Sequence, residues 1–262
     1  MAHPKIGVLL VNTGTPDSPQ TPDVRKYLRE FLMDKRVIDI PYPQRFALIN
    51  GIIAPFRAPK SAVIYKQLWT DNGSPLIIHA EAVTKLLQES LGPDYYVAYA
   101  MRYQSPGMDE VVAKLKEKLL EKIVVIPLFP QYASASTGSV HDKVMEIVKD
   151  WQVIPDMKMV STFCNHPTFI KAWADVAKPY LEQQNWDHFV FSYHGLPERQ
   201  ILKASAKDYC QLNNKCCSSY HRLNRFCYRA QCFETSRQMA AIMGIAEKDY
   251  TVAFQSRLGK DP

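Results

Sequence analysis

Six short apolar runs recur along the chain: 6–11 (IGVLLV), 95–100 (YYVAYA), 123–128 (IVVIPL), 157–162 (MKMVST), 188–193 (HFVFSY) and 250–255 (YTVAFQ). Most are rich in β-branched or aromatic residues, and none alternates cleanly between apolar and polar. That is the pattern of parallel strands covered on both faces. Helical patterns lie between them. Ser74-Pro75 reads as an N-cap followed by a first-turn proline, with Leu76, Ile77, Ala80, Val83, Leu87 and Leu91 on one stripe. Met108, Val111, Val112, Leu115 and Leu119 give a second stripe, and segments near 22–33, 139–149, 167–182 and 229–243 also read as helices. Strands alternating with helices predict an α/β fold with a mainly parallel sheet in each unit. The longest nearly apolar stretch is Phe46 to Phe56 (FALINGIIAPF), bounded by Arg45 and Arg57. It is too short to span a bilayer. It reads as a core segment in preference to an apolar lip at a site mouth.

A weak internal repeat adds domain organisation. IGVLLVNTGTP at Ile6–Pro16 and FVFSYHGLP at Phe189–Pro197 each run a strand into a Gly-x-Pro turn, with Gly14 and Gly195 in matching places. Val97-Ala98-Tyr99 followed by Arg102 matches Val252-Ala253-Phe254 followed by Arg257. The first half continues past Arg102 through a further helix, strand and helix, whereas the second stops five residues after Arg257. The expectation is two similar domains, 3–155 and 156–262, the second of them truncated.

Composition refines this picture. Of 262 residues, 47% are hydrophobic and 22% charged, which argues against disorder. The formal charge of +6 is localised: Arg199 to Arg237 holds eight basic and two acidic residues, and the rest of the chain balances. Five of the six cysteines, Cys210, Cys216, Cys217, Cys227 and Cys232, fall in that same window, while Cys164 stands apart as a core thiol. No secretory leader is expected from MAHPKIGVLLVNTG, so disulfides are a poor default. No two of the ten glycines are closer than seven positions. That excludes the GxGxxG dinucleotide fingerprint, the P-loop and the GxSxG hydrolase elbow.

In parallel α/β folds ligands sit beyond the carboxyl ends of the strands. The segments there are Asn12–Pro16, Met101-Arg102-Tyr103, Pro130-Gln131-Tyr132 with Ser134, Ser136 and Thr137, and Ser192-Tyr193-His194-Gly195. They bring one imidazole, one guanidinium, phenols and hydroxyls, and no carboxylate. His194 ends an apolar strand just before Gly-Leu-Pro, and imidazole is a proton acceptor near neutral pH and a ligand for borderline metals. The plainer reading is a histidine bonded to a loop carbonyl. Ser192 lies on the same strand face, but a Ser–His nucleophile lacks an elbow and a third member. Arg102 can take a carboxylate in bidentate fashion, or be an ordinary strand-end ion pair. Tyr103 and Tyr132 can stack on an aromatic ligand, or be partly buried tyrosines.

VNTGTPDSP, AMRYQSP, PLFPQYASASTGS, FSYHGLPER and FQSRLGKDP, in this order, closely resemble the signatures of ferrochelatases, in the style of proteobacterial enzymes that use protoporphyrin. The resemblance runs from Lys5 to Pro262, broken only by the cysteine-rich segment. It implies two Rossmann-like chelatase domains with parallel sheets flanked by helices, a porphyrin cleft between them, and insertion of ferrous iron into protoporphyrin IX. By position it implies His194 as the residue that takes pyrrole protons or binds the incoming iron. It implies Arg102 and Tyr103 as a pair facing the macrocycle, and Tyr132, Ser136 and Thr137 as a cleft-lining loop. Thr13 falls on the opposite porphyrin face, where a threonine is a poor axial ligand. Residues 46–57 correspond to a membrane-facing lip, which implies a cytoplasmic protein peripheral to the inner membrane. The family's site glutamate lies in a segment beyond FQSR. The chain is therefore expected to insert iron less well than one carrying that segment, and a non-catalytic porphyrin or haem binder is the alternative.

The cysteines include no C-x-x-C pair, so zinc ribbons and thioredoxin motifs fit poorly. The insertion, within about 200–232, resembles the internal cysteine segment of ferrochelatases that carry a [2Fe–2S] cluster. The implied ligands are Cys210, Cys217, Cys227 and Cys232, with Cys216 an alternative to Cys217. The basic residues would offset the charge of such a cluster. Free thiols or zinc are the alternatives. Nucleic-acid binding through this segment is disfavoured, because the remaining chain is neutral.

Overall fold

A computed structural model describes residues 4–213 and 215–256. The chain divides into two units, one of 4–129 with 135–161 and one of 130–134 with the described residues from 162 onward. Arg257 and most of the FQSRLGKDP match lie outside the described residues.

The first unit runs β1 (Ile6–Gly14), α1 (Thr21–Met33), α2 (Tyr42–Ala47), α3 (Ala54–Leu68), α4 (Pro75–Leu91), β2 (Tyr95–Tyr103), α5 (Met108–Glu117), β3 (Lys122–Pro127), α6 (Ser139–Val148) and β4 (Asp156–Met159). The strands form one parallel sheet in the order β2-β1-β3-β4. β1 pairs on both edges, Ile6 opposite Tyr95 and Lys122. It is also covered on both faces. Leu9 and Val11 pack with Val112 and Leu115 of α5 and Val140 and Val144 of α6. Val8 and Leu10 pack with Leu87 and Leu91 of α4. A strand buried on both faces must be apolar at every position, which is why IGVLLV shows no alternation. Each fully buried side chain of this kind contributes about 1.5–3 kcal/mol.

The two predicted stripes are narrower than expected. Val83 is exposed, because α4 covers the sheet mainly through Ala80, Leu87 and Leu91. Leu119 falls beyond the end of α5, at φ 53, and is 90% exposed. Ser74 does precede α4, but its hydroxyl bonds the Thr15 hydroxyl at 3.3 Å and does not cap the helix.

The largest correction concerns 46–56. It is helical, and most of it is surface. α2 passes through a π-helical segment, Leu48–Ile53, into α3. The buried face consists of Ile49, Ala54, Ala58 and Ala62, of which Ile49, Ala58 and Ala62 pack with Val24, Tyr27 and Leu28 of α1. Small residues inward leave the large ones outward: Phe46, Ile52 and Phe56 are 50%, 58% and 73% exposed. The core reading of this stretch therefore gives way to an exposed apolar face. No helix among the described residues is long and apolar enough to cross a membrane.

The second unit contains α7 (Pro167–Leu181), β5 (Phe189–His194), α8 (Glu198–Lys203), α9 (Tyr228–Met243) and β6 (Tyr250–Gln255). β5 and β6 pair in parallel, Phe189 opposite Tyr250 and His194 opposite Gln255. Gly244, at φ 69, ends α9 in the left-handed conformation that glycine adopts without strain. Each unit thus pairs a glycine-terminated strand with a later parallel strand, as the repeat predicts. The registers differ. By the repeat Leu10 corresponds to Phe191 and Tyr99 to Phe254, yet Leu10 pairs with Tyr99 while Phe191 pairs with Val252, a shift of two residues.

Candidate functional site

At the carboxyl end of β2, Arg102 is held by a buried carboxylate. Its Nη2 donates to Asp34 Oδ2 at 2.8 Å, and its Nε donates to the Ser139 hydroxyl at 2.8 Å and the Ser139 carbonyl at 3.2 Å. The Tyr103 and Ser139 hydroxyls donate to the same Asp34 oxygen at 2.9 and 2.5 Å, and the Arg36 amide donates to Oδ1 at 2.7 Å. Burial alone would push the Asp34 carboxyl up. The Ser139 hydroxyl, the Arg36 amide, the Tyr103 hydroxyl and the Arg102 charge outweigh it and hold the group below the ordinary aspartate value. Arg102 also lies over the Tyr103 ring, with Cζ 4.7 Å from the centroid.

This geometry revises one expectation. Tyr103 is 1% exposed and packs edge-on against Phe31, with centroids 5.2 Å apart. Burial pushes its phenol up, and it has no free face for a ligand. Arg102 differs, since its side chain keeps 16% of its surface and its Nη1 makes no hydrogen bond to any described residue. Asp34 and Ser139 were missed in the sequence.

Thr13 is half-buried at the end of β1, its amide bonded to Asn12 Oδ1 at 2.8 Å. The next residue, Gly14, lies against the Tyr103 backbone at φ +107. In the turn before α6, Ser136 is half-buried, while Thr137 is fully buried and its hydroxyl makes no hydrogen bond to a described residue. Ser136 remains accessible to a ligand and Thr137 does not.

In the second unit Tyr132 is half-buried. Its amide donates to Gln231 Oε1 of α9 at 2.7 Å, and its ring packs edge-on against Phe226, with centroids 5.9 Å apart. His194 closes β5. Phe189, Phe191 and Tyr193 turn inward, the last with its hydroxyl 2.8 Å from the Ser236 hydroxyl, whereas Val190, Ser192 and His194 face outward. The His194 ring is exposed and bonds no described residue. Its main chain is fixed on both sides: its carbonyl accepts from the Tyr228 hydroxyl at 2.9 Å, and the Gly195 amide donates to Gln255 O at 2.6 Å. A Cβ at Gly195 would meet Ser256 O at 2.7 Å, so the tight turn behind the histidine requires glycine.

The cysteine segment is partly gathered. Cys210, Cys216, Cys217 and Cys227 share one apolar cluster with Ile201, Tyr209 and Ala230. The Cys216 and Cys217 sulfurs are 3.9 Å apart, and the Cys217 thiol bonds Cys227. Cys227 stands at the N-cap position of α9. The Cys217 thiol, with the Ala230 and Arg229 amides, brings it down to about 6 against the burial that would raise it. Arg229 Nη1 lies 3.5 Å from the Cys217 sulfur, and Arg237 donates to the Cys217 carbonyl at 2.9 Å. Cys232 does not join them. It is fully buried one turn into α9, and burial pushes it up. Among the described residues no set of three or more His, Cys, Asp or Glu is arranged to hold a metal ion.

The family model described as ferrochelatase matches residues 5–262. The ferrochelatase of Legionella pneumophila (strain Paris) is 43% identical over 256 residues, which covers 98% of this chain and 75% of that protein. The ferrochelatase of Coxiella burnetii (strain Dugway 5J108-111) is 41% identical over 257 residues, covering 98% of this chain and 71% of that protein.

Proposed function

The chain belongs to the ferrochelatase family, and from that premise we propose how its own residues carry the reaction. It is an enzyme that inserts ferrous iron into protoporphyrin in haem synthesis, with the iron as substrate. The non-catalytic porphyrin binder is not favoured. Metal entry displaces two pyrrole protons, so the site needs a proton acceptor that substrate can reach. His194 is that acceptor in our reading. The observation that carries it is an imidazole that is exposed and unbonded among the described residues, on a main chain fixed by Tyr228 and Gln255. Free iron and base functions compete for one imidazole, and proton removal is the role argued here. The test is H194A and H194Q, assayed for insertion rate and separately for porphyrin binding. Lost rate with retained binding supports the acceptor role. Wild-type rates in both variants refute it.

Arg102, Tyr132, Ser136 and Thr13 are assigned to macrocycle contact. Tyr103 and Thr137 are buried and are assigned to support.

We place the protein at the cytoplasmic face of the inner membrane. Phe46, Ile52 and Phe56 support this, since they project from a segment that also exposes Arg57, Lys60 and Lys66, the pairing of apolar and cationic groups that an anionic bilayer surface attracts. The [2Fe–2S] cluster expected on Cys210, Cys217, Cys227 and Cys232 does not fit the residues as they stand: Cys232 is buried apart from the other three, and among the described residues no set of three or more ligands is arranged to hold a metal, so no step is derived through such a group.

A further inference from the structure

We propose that Tyr228, at the start of α9, is a positioning residue that sets the aim of the His194 imidazole. This rests on the reading of His194 given above. The peptide unit joining His194 to Gly195 is planar, and its amide and carbonyl point in opposite directions. Each edge has a partner. The Gly195 amide donates to Gln255 O of β6 at 2.6 Å, and the His194 carbonyl accepts from the Tyr228 hydroxyl at 2.9 Å. With one bond the plane could rock about the strand axis. With both, its tilt is fixed, and the direction of the His194 side chain follows. Among the described residues β6 is the one strand paired with β5, so on the far side the phenol satisfies a carbonyl that a neighbouring strand would otherwise take.

The need for a second bond is local. The imidazole bonds no described residue, so its backbone alone must orient it. The chain then enters Gly195, which has no Cβ to stiffen it, and a Cβ there would meet Ser256 O at 2.7 Å, so a stiffer residue cannot take over the task. Tyr228 suits the task because it is itself held. It occupies the first turn of α9, directly after Cys227, where the Gln231 amide donates to Cys227 O at 3.0 Å. Its ring packs against Phe254, the residue before Gln255, with centroids 6.4 Å apart. The two anchors of the peptide are thus tied to each other. A phenol has one proton to donate, and here it goes to the His194 carbonyl.

The experiment compares wild type with Y228F, H194A, the double variant Y228F/H194A and Y220F. Insertion of ferrous iron into prebound protoporphyrin should slow about tenfold in Y228F, inside the roughly 10²-fold that a displacement of about 1 Å can cost, while porphyrin titrates as in wild type. On the H194A background Y228F should add nothing, because Tyr228 acts through the imidazole. Y220F is the control: the Tyr220 hydroxyl donates to the Arg225 carbonyl at 2.9 Å, a bond of the same kind that holds no part of β5, and its loss should leave insertion at the wild-type rate. Both tyrosine variants keep the ring and remove one oxygen. Equal slowing in Y220F, or additive losses in the double variant, would mean that the hydroxyl serves the fold generally, and would overturn the proposal. So would a wild-type rate in Y228F beside a slow H194A, and that result would leave the His194 reading standing. A wild-type rate in H194A would overturn the His194 reading and this inference with it.

Discussion

Gly14 joins the end of β1 to the strand that bears Arg102, and replacing it with alanine should be among the most damaging small substitutions in the chain. Two costs act there. The residue sits at φ +107, a conformation that costs an L-residue about 1–2 kcal/mol. The added Cβ would lie 2.0 Å from the Tyr103 carbonyl oxygen and 3.0 Å from its carbon. That oxygen belongs to the backbone, so no rotamer relieves the overlap. β1 and β2 must part at their ends, which loses ladder hydrogen bonds of about 1 kcal/mol each and disturbs packing by about 1–3 kcal/mol. The sum is about 3–5 kcal/mol, a large share of the 5–15 kcal/mol that ordinarily holds a domain. Urea unfolding measures it, with an expected midpoint fall of about 1–2 M for an ordinary urea slope. Gly92→Ala is the control, because φ is +77 there but nothing lies within 4 Å. It should cost only the conformational part, about 1–3 kcal/mol, since φ 77 with ψ -169 is a region that glycine alone adopts readily. If G14A proves no less stable than G92A, the close approach of β1 to Tyr103 is wrong.

Gly195→Ala should cost less stability, about 1–3 kcal/mol, because its Cβ meets Ser256 O at 2.7 Å without a strained φ; insertion rate should fall more than porphyrin affinity, since the displaced residue is His194, and equal losses in both would count against that. Asp34 is ionised more readily in the folded chain than in the unfolded one, so its contribution is present above the ordinary carboxylate range and is lost as pH falls through its lowered folded value. D34N should therefore flatten the acid limb of a stability-against-pH curve, and an unchanged limb would show that Asp34 is not the linked group. Phe56→Glu, at a position 73% exposed, should leave the melting temperature nearly unchanged and weaken sedimentation with anionic lipid vesicles; undiminished vesicle binding would remove the membrane reading of 46–57.

The strands were readable because β1, β2 and β3 are covered on both faces, and continuous β-branched runs have few other uses. The 42–68 region was not, because its buried stripe is alanine. Ala54, Ala58 and Ala62 carry little hydrophobic signal, while Phe46 and Phe56, which do, face outward. His194 could be read from a strand end followed by glycine, a local feature. The support of Arg102 could not, since Asp34 lies 68 residues from Arg102 and 105 from Ser139, and only the folded sheet brings them together. Tyr103 shows the limit of adjacency: next to Arg102 in sequence and bonded to the same Asp34 oxygen, it is nevertheless buried beneath the guanidinium, with no face open to a ligand. Cys232 shows the same limit in a helix. It lies inside α9, five positions after Cys227, which precedes the helix in extended backbone, and it is buried outside the cluster that gathers Cys210, Cys216, Cys217 and Cys227.

The account turns on His194 as the group that takes porphyrin protons while iron enters. Single-turnover insertion, with protoporphyrin prebound and ferrous iron mixed in anaerobically, reads that step directly in wild type and H194A. The expected result is a rate lower by about 10²–10⁴-fold, the scale of a lost general base, with porphyrin fluorescence titrating as in wild type. A wild-type insertion rate in H194A would place the proton acceptor elsewhere and contradict the assignment.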